Sequence, residues 1–166
     1  MTRTTESENR LTEAMSLRQA GRNADARLLL LELHAAHPED AAVNLQCAWI
    51  HDRLGLESAA VTFYEKALTL GLDGDDLRHA LLGLGSTYRA LGQYEKAVST
   101  LRRGTELFPD HRGMQVFLGL AFYNAGQDKE ACEILLRNLA ETSDDPEVSE
   151  YREALMLYAE DLDRTW

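Results

Sequence analysis

Two histidines three residues apart, His34 and His37, followed by Glu39 and Asp40, are the grouping in this chain that most resembles a metal-binding set. The same residues also suit the end of a helix, where imidazoles complement the C-terminal dipole, and that is the preferred reading. His51 falls inside an apolar helical pattern and reads as a packing residue, while His79 and His111 flank helix starts and read as exposed. Asp73, Gly74, Asp75 and Asp76 form a short acidic turn, but the alternating oxygen ligands and the twelfth-position glutamate of a calcium loop are missing. That turn is expected to cap the next helix through Asp75 or Asp76. Cys47 and Cys132 stand alone in apolar patterns, without a CxxC spacing, and are expected to be reduced and buried. Gly83 and Gly85 flank a leucine inside a helical pattern and do not join a strand to a helix, so they do not form a phosphate loop. No nucleophile elbow or HExxH pattern occurs in the sequence. No metal or cofactor is expected, and catalysis has no residue set to rest on.

The elements that would position these residues follow from a repeat. Gly21, Gly55, Gly92 and Gly126 recur at separations of 34, 37 and 34. If each glycine is the fifteenth position of a unit, the units begin at Ser7, Ala41, Arg78 and Arg112, with three extra residues before the third. The eighth position is then Ala14, Ala48, Gly85 and Gly119, and the twentieth is Ala26, Ala60, Ala97 and Ala131. Small residues in both columns let two antiparallel helices approach closely, and the glycine between them supplies the positive φ that ends the first helix. Larger side chains fill the eleventh column (Leu17, His51, Tyr88, Phe122) and the twenty-fourth (Leu30, Tyr64, Leu101, Leu135), where they can knit each hairpin to the next. Pro38 and Pro109 close the first and third units.

Apolar spacing within each unit is helical, without strand alternation. It predicts helices at about residues 8–20, 23–36, 41–54, 57–70, 77–91, 94–107, 112–125 and 128–141. A ninth helix is predicted at roughly 147–163, opening after Pro146, with Val148, Tyr151, Leu155, Tyr158 and Leu162 on one stripe and Glu147, Glu150, Glu153, Glu160, Asp161 and Asp163 outward.

The third unit reads Leu81, Leu84, Gly85, Tyr88, Gly92, Tyr94, Ala97, Leu101 and Pro109, and so resembles the tetratricopeptide repeat pattern, with leucine in place of the usual opening tryptophan. The resemblance covers about residues 7–145. It is strongest in the third unit and weakest in the first, where Glu13 takes a column that is normally leucine. It implies an all-α, right-handed superhelical solenoid of four helix hairpins plus a C-terminal capping helix. The expected organisation is one domain over 1–166, with repeats at about 7–40, 41–77, 78–111 and 112–145 and the cap at 146–164.

In that family, positions two, five, nine, twelve and thirteen of the first helices usually face a concave groove. The resemblance therefore implies a partner site of Leu11, Leu45, Leu82 and Val116 with Met15, Trp49, Ser86 and Leu120, edged by Arg18, Arg53, Arg89 and Tyr123. Arginine bonds carboxylates in bidentate fashion, and a buried tryptophan or tyrosine is the usual anchor of an interface. The implied partner is a peptide or helix of another protein, with apolar anchors and an acidic group. Leu11 and Met15 stand where chaperone-binding members carry Lys and Asn, which disfavours a carboxylate clamp of that kind. The alternative is a self-associating structural protein whose groove or cap forms a homodimer, and an unrecognised enzyme or metal protein ranks behind both.

Charge supports a protein partner. With 17 Lys and Arg against 28 Asp and Glu, the formal charge of −11 repels nucleic-acid phosphates and anionic lipid surfaces. The polar opening from Met1 to Glu6 lacks a signal-peptide core, and a cytoplasmic protein is expected.

Overall fold

The computed structural model describes residues 5–165, and the first four residues of the polar opening lie outside that range. All regular structure in the described residues is helical. The helices are α1 (Thr5–Gln19), α2 (Asn23–Ala36), α3 (Ala41–Arg53), α4 (Glu57–Leu70), α5 (Gly74–Ala90), α6 (Tyr94–Leu107), α7 (Arg112–Asn124) and α8 (Asp128–Thr142), followed by the short α9 (Pro146–Ser149) and α10 (Arg152–Tyr158). They pair as successive antiparallel hairpins stacked into a right-handed superhelical solenoid. Odd-numbered α1, α3, α5 and α7 touch one another in sequence and form one layer, while α2, α4, α6 and α8 form the other.

The columns of small residues explain the close pairing. Ala14, Ala48, Ala26, Ala60 and Ala97 are fully buried, and a Cβ added at Gly85 would lie 2.8 Å from Leu101 Cδ2. Closeness of this order leaves no room for any side chain, so the α5–α6 crossing depends on glycine. Gly92, at φ +72, takes the left-handed conformation that closes α5. Its N–H donates to the Arg89 carbonyl at 3.1 Å, and that of Gln93 donates to the Tyr88 carbonyl at 2.9 Å, satisfying two otherwise orphaned carbonyls.

Two buried clusters fill the space between layers. Leu11, Leu30, Leu33, Val43 and Ile50 join the first hairpin to α3, and Leu45, Tyr64, Leu81, Tyr88, Leu101, Met114 and Phe122 run through the remaining hairpins. Phe63 packs against both clusters. Its ring meets His34 edge-on at 5.1 Å and His51 at 4.9 Å, so these two imidazoles serve as packing surfaces. Glu13, the departure in the first unit, simply faces solvent, and α1 is held through Leu11 and Ala14 instead.

Four expectations need correction. Cys132 is exposed, whereas Cys47 is buried with its thiol pushed up to about 12 by desolvation. Asp73, not Asp75 or Asp76, occupies the N-cap of α5, and it makes no side-chain capping bond. His111 is half-buried, and its Nδ1 caps α7 by accepting from the Met114 N–H at 2.9 Å. The final amphipathic stretch is two short helices instead of one. Asp145 caps α9, accepting from the Glu147 N–H at 2.9 Å, and Ser149 Oγ and an Arg152 guanidinium nitrogen both donate to the Ser143 carbonyl at 3.1 Å. Those bonds turn the chain, and Tyr151 breaks the helix at φ −99, ψ 9. As a result Leu155 and Ala159 pack inward while Tyr151, Tyr158 and Leu162 face outward.

Candidate functional site

The layer of α1, α3, α5 and α7 carries a cavity of about 650 Å³ lined by Arg18, Trp49, Asp52, Arg53, His79, Leu82, Gly83, Ser86 and Phe117. Four successive odd-numbered helices contribute, so the site exists only because the repeats stack. The Arg18 guanidinium lies over the Trp49 ring, 4.6 Å from its centroid, and His79 meets the same ring at 5.7 Å with the planes at 74°. Trp49 is thus held between a cation and an imidazole, with Leu82 and Phe117 beside it.

Charge in this cavity is unbalanced. Burial and the neighbouring Arg53 both push the Arg18 pKa down, and Arg18 Nε is buried without a hydrogen-bond partner. Neither guanidinium pairs with a carboxylate among the described residues. Asp52 is the one acidic lining residue, and its oxygens are already engaged. Tyr64 Oη donates to Oδ2 at 3.3 Å, and Thr87 Oγ1 lies 3.2 Å from Oδ1. Burial raises the Asp52 pKa above the ordinary carboxylate range, partly offset by those two hydroxyls. Two cationic groups beside an aromatic platform are equipped to bind an anionic group joined to an apolar one.

Of the residues implied by the repeat pattern, Arg18, Trp49, Arg53, Leu82 and Ser86 converge on this cavity. Val116, Leu120 and Tyr123 form an exposed stripe on α7, 37%, 37% and 66% accessible. Leu11 and Leu45 do not belong to the groove surface. They are 8% and 0% exposed and are absorbed into the two cores, so the apolar floor is shorter than expected. Met15 packs beside the first core, and Arg89 donates to Asn124 Oδ1 at 3.1 Å, bracing α5 against α7. Phe117 and His79 line the cavity without having been anticipated. His79 occupies the second position of its unit, a groove-facing column of the repeat, which was a usable signal. Phe117 occupies the sixth and had none.

His34 and His37 diverge: His37 Nε2 meets Ser7 Oγ at 2.8 Å, whereas His34 faces Phe63. No group of three or more His, Cys, Asp or Glu is arranged to hold a metal among the described residues. Nor is any described helix long and apolar enough to cross a membrane.

Comparison with known proteins places this geometry in context. A search of curated proteins finds no matching sequence. Among solved structures, a MamA protein aligns with a TM-score of 0.72 and 19% identity, over 89% of this chain and 75% of that one. PilF from Pseudomonas aeruginosa aligns at 0.68 and 20% identity, over 93% of this chain and 68% of its own. An O-GlcNAc transferase variant from Thermobaculum terrenum aligns at 0.71 and 23% identity, over 87% of this chain but only 28% of that enzyme. At these identities the likeness establishes the shared helical solenoid. A family model described as Tetratrico peptide repeat matches residues 40–162, leaving out the first unit, where the repeat pattern is weakest. The chain belongs to the tetratricopeptide repeat family.

Proposed function

We propose that this chain is a protein-interaction module, an adaptor or scaffold acting as a single domain in the cytoplasm, that holds a peptide or helix of a partner protein in its concave groove. The observation that carries the reading is the pair Arg18 and Arg53 beside Trp49, two guanidiniums without a carboxylate partner among the described residues, in a cavity walled by aromatic and aliphatic groups. Desolvating an arginine without pairing it is costly, and an incoming carboxylate recovers that cost as charge-assisted hydrogen bonds. Trp49 and Leu82 anchor an adjacent apolar side chain of the ligand, and the α7 stripe of Val116, Leu120 and Tyr123 extends the apolar contact. Ser86, His79 and Asp52 also line the cavity, but among the described residues no hydrogen bond joins Ser86 to His79, and Asp52 is bonded by Tyr64 and Thr87 instead of His79, so the reading is of binding without catalysis.

The test compares full-length protein with the Trp49→Ala, Leu82→Glu double variant in affinity capture from native lysate, followed by calorimetry with the captured partner. A partner bound by the intact groove and lost in the variant, with circular dichroism and melting unchanged, supports the proposal. Equal capture by both proteins removes the groove as the partner site.

A further inference from the structure

We propose that the groove also accepts the C-terminal end of a second copy of this chain, giving head-to-tail self-association; this rests on the groove being a docking site, as argued above. The outer face of α9 and α10 suits such a contact. Where a continuous capping helix would have covered the last hairpin, the break between α9 and α10 leaves Tyr151 59%, Leu157 38% and Tyr158 46% exposed. Aromatic groups at that level of exposure on the end of a stack are unusual for an isolated solenoid, whose terminal repeat ordinarily turns a polar face outward.

Charge selects what this end can meet. Between residues 144 and 163 the chain carries eight carboxylate side chains and one arginine; Asp161 and Asp163 pair with Lys129, and the other six leave the apolar patch in an acidic surround. A molecule of net charge −11 repels another copy at most of its surface. The cavity at Arg18 and Arg53 is different, since among the described residues its two cations lack carboxylate partners and its one lining carboxylate, Asp52, is occupied by Tyr64 and Thr87. An acidic end displaying tyrosines and a cationic cavity walled by Trp49 are complementary in both charge and apolarity. Because groove and end are different surfaces, each added copy leaves one of each free, and the association is heterologous.

Analytical ultracentrifugation over a concentration series tests this on the full chain. Three proteins are compared, namely wild type, a groove variant (Arg18→Gln, Arg53→Glu) and an end variant (Tyr151→Ser, Tyr158→Ser), with circular dichroism confirming that all three are folded. The expected result is a wild-type mass that rises above the 18.6 kDa monomer with concentration, while each variant alone stays monomeric. Mixing the two variants should restore a single 1:1 dimer, because one supplies the intact end and the other the intact groove. A wild type that stays monomeric up to about 1 mM overturns the proposal, that being the weakest affinity worth calling specific. So does a mixture of variants that fails to associate. If wild type is monomeric yet the groove still captures a partner lost in Trp49→Ala, Leu82→Glu, the self-association fails and the binding module stands.

Discussion

Gly83 lies against the ring of Tyr64: a Cβ at this position would fall 2.5 Å from the phenol Cζ and 2.9 Å from Cε1. Tyr64 is 1% exposed, and its hydroxyl reaches Asp52 on the wall of the groove. The missing side chain on α5 is therefore what allows a core tyrosine of α4 to reach between α3 and α5 and fix a carboxylate at the site. Core packing and groove electrostatics meet in this pair.

Gly83→Ala is expected to destabilise the protein. Alanine in a helix interior gains up to about 1 kcal/mol over glycine in propensity, but forcing a methyl into a closed core costs about 1–3 kcal/mol. Packing wins, because a ring only 1% exposed has little room to move. Urea denaturation should show a lower midpoint with an unchanged slope; a midpoint at or above wild type would mean that Tyr64 can swing aside.

Arg53→Gln should separate stability from binding. The arginine is exposed, has no carboxylate partner among the described residues and lies near Arg18, so its removal is expected to change folding stability by no more than about 0.5 kcal/mol, in the favourable direction if any. A charge-assisted hydrogen bond to a ligand carboxylate contributes about 1.5–3 kcal/mol, so affinity for a groove-bound partner should fall about tenfold or more. Thermal melting and titration calorimetry on the same sample decide it. Unchanged affinity would remove Arg53 from the site.

The hairpins were legible in the sequence because their causes are local and repeat. A left-handed glycine such as Gly92 and a small residue such as Gly85 leave the same mark in unit after unit. The N-terminal half of the groove was legible for the same reason, since Trp49, Leu82 and Ser86 sit in columns that face inward. Leu11 and Leu45 misled because a column fixes a direction and not a depth: neighbouring helices close over both leucines. The cap was misread because its stripe is sound as a helical pattern. What breaks it is a set of bonds converging on the Ser143 carbonyl, from Ser149 Oγ and Arg152, that no apolar periodicity encodes.

His51 gives the folded state a pH dependence of defined sign. Its Nδ1–H donates to the Cys47 carbonyl at 2.7 Å while Nε2 accepts from Arg27 Nε at 3.1 Å, an arrangement open only to the neutral ring. Burial, with a smaller contribution from Arg27, lowers its pKa below the ordinary 6.5 in the fold. The unfolded chain therefore binds the proton more readily, so this contribution is complete above pH 6.5 and is lost as pH falls through the lower folded value. Melting temperature should drop from pH 7 towards pH 5, and the drop should be shallower in His51→Phe, which keeps a ring against Phe63. Parallel profiles in the two proteins would assign the slope to other groups.

At the far end of the stack, Lys129 Nζ on α8 meets Asp161 Oδ1 at 3.1 Å and Asp163 Oδ2 at 2.8 Å, tying the segment after α10 back onto the last hairpin. Donating hydrogen bonds to Asp163 and Asp161 raises the lysine pKa, and the lysine lowers that of Asp161. All three groups are solvent-exposed, where ion pairs add little to global stability and are screened by salt. The effect of Lys129→Gln should accordingly be local. Amide exchange within 159–164 should quicken, 1 M salt should reproduce that quickening in wild type, and the cooperative melt should stay in place. Should the melt itself shift downward, the tail would be part of the cooperative core and not a strap laid over its end.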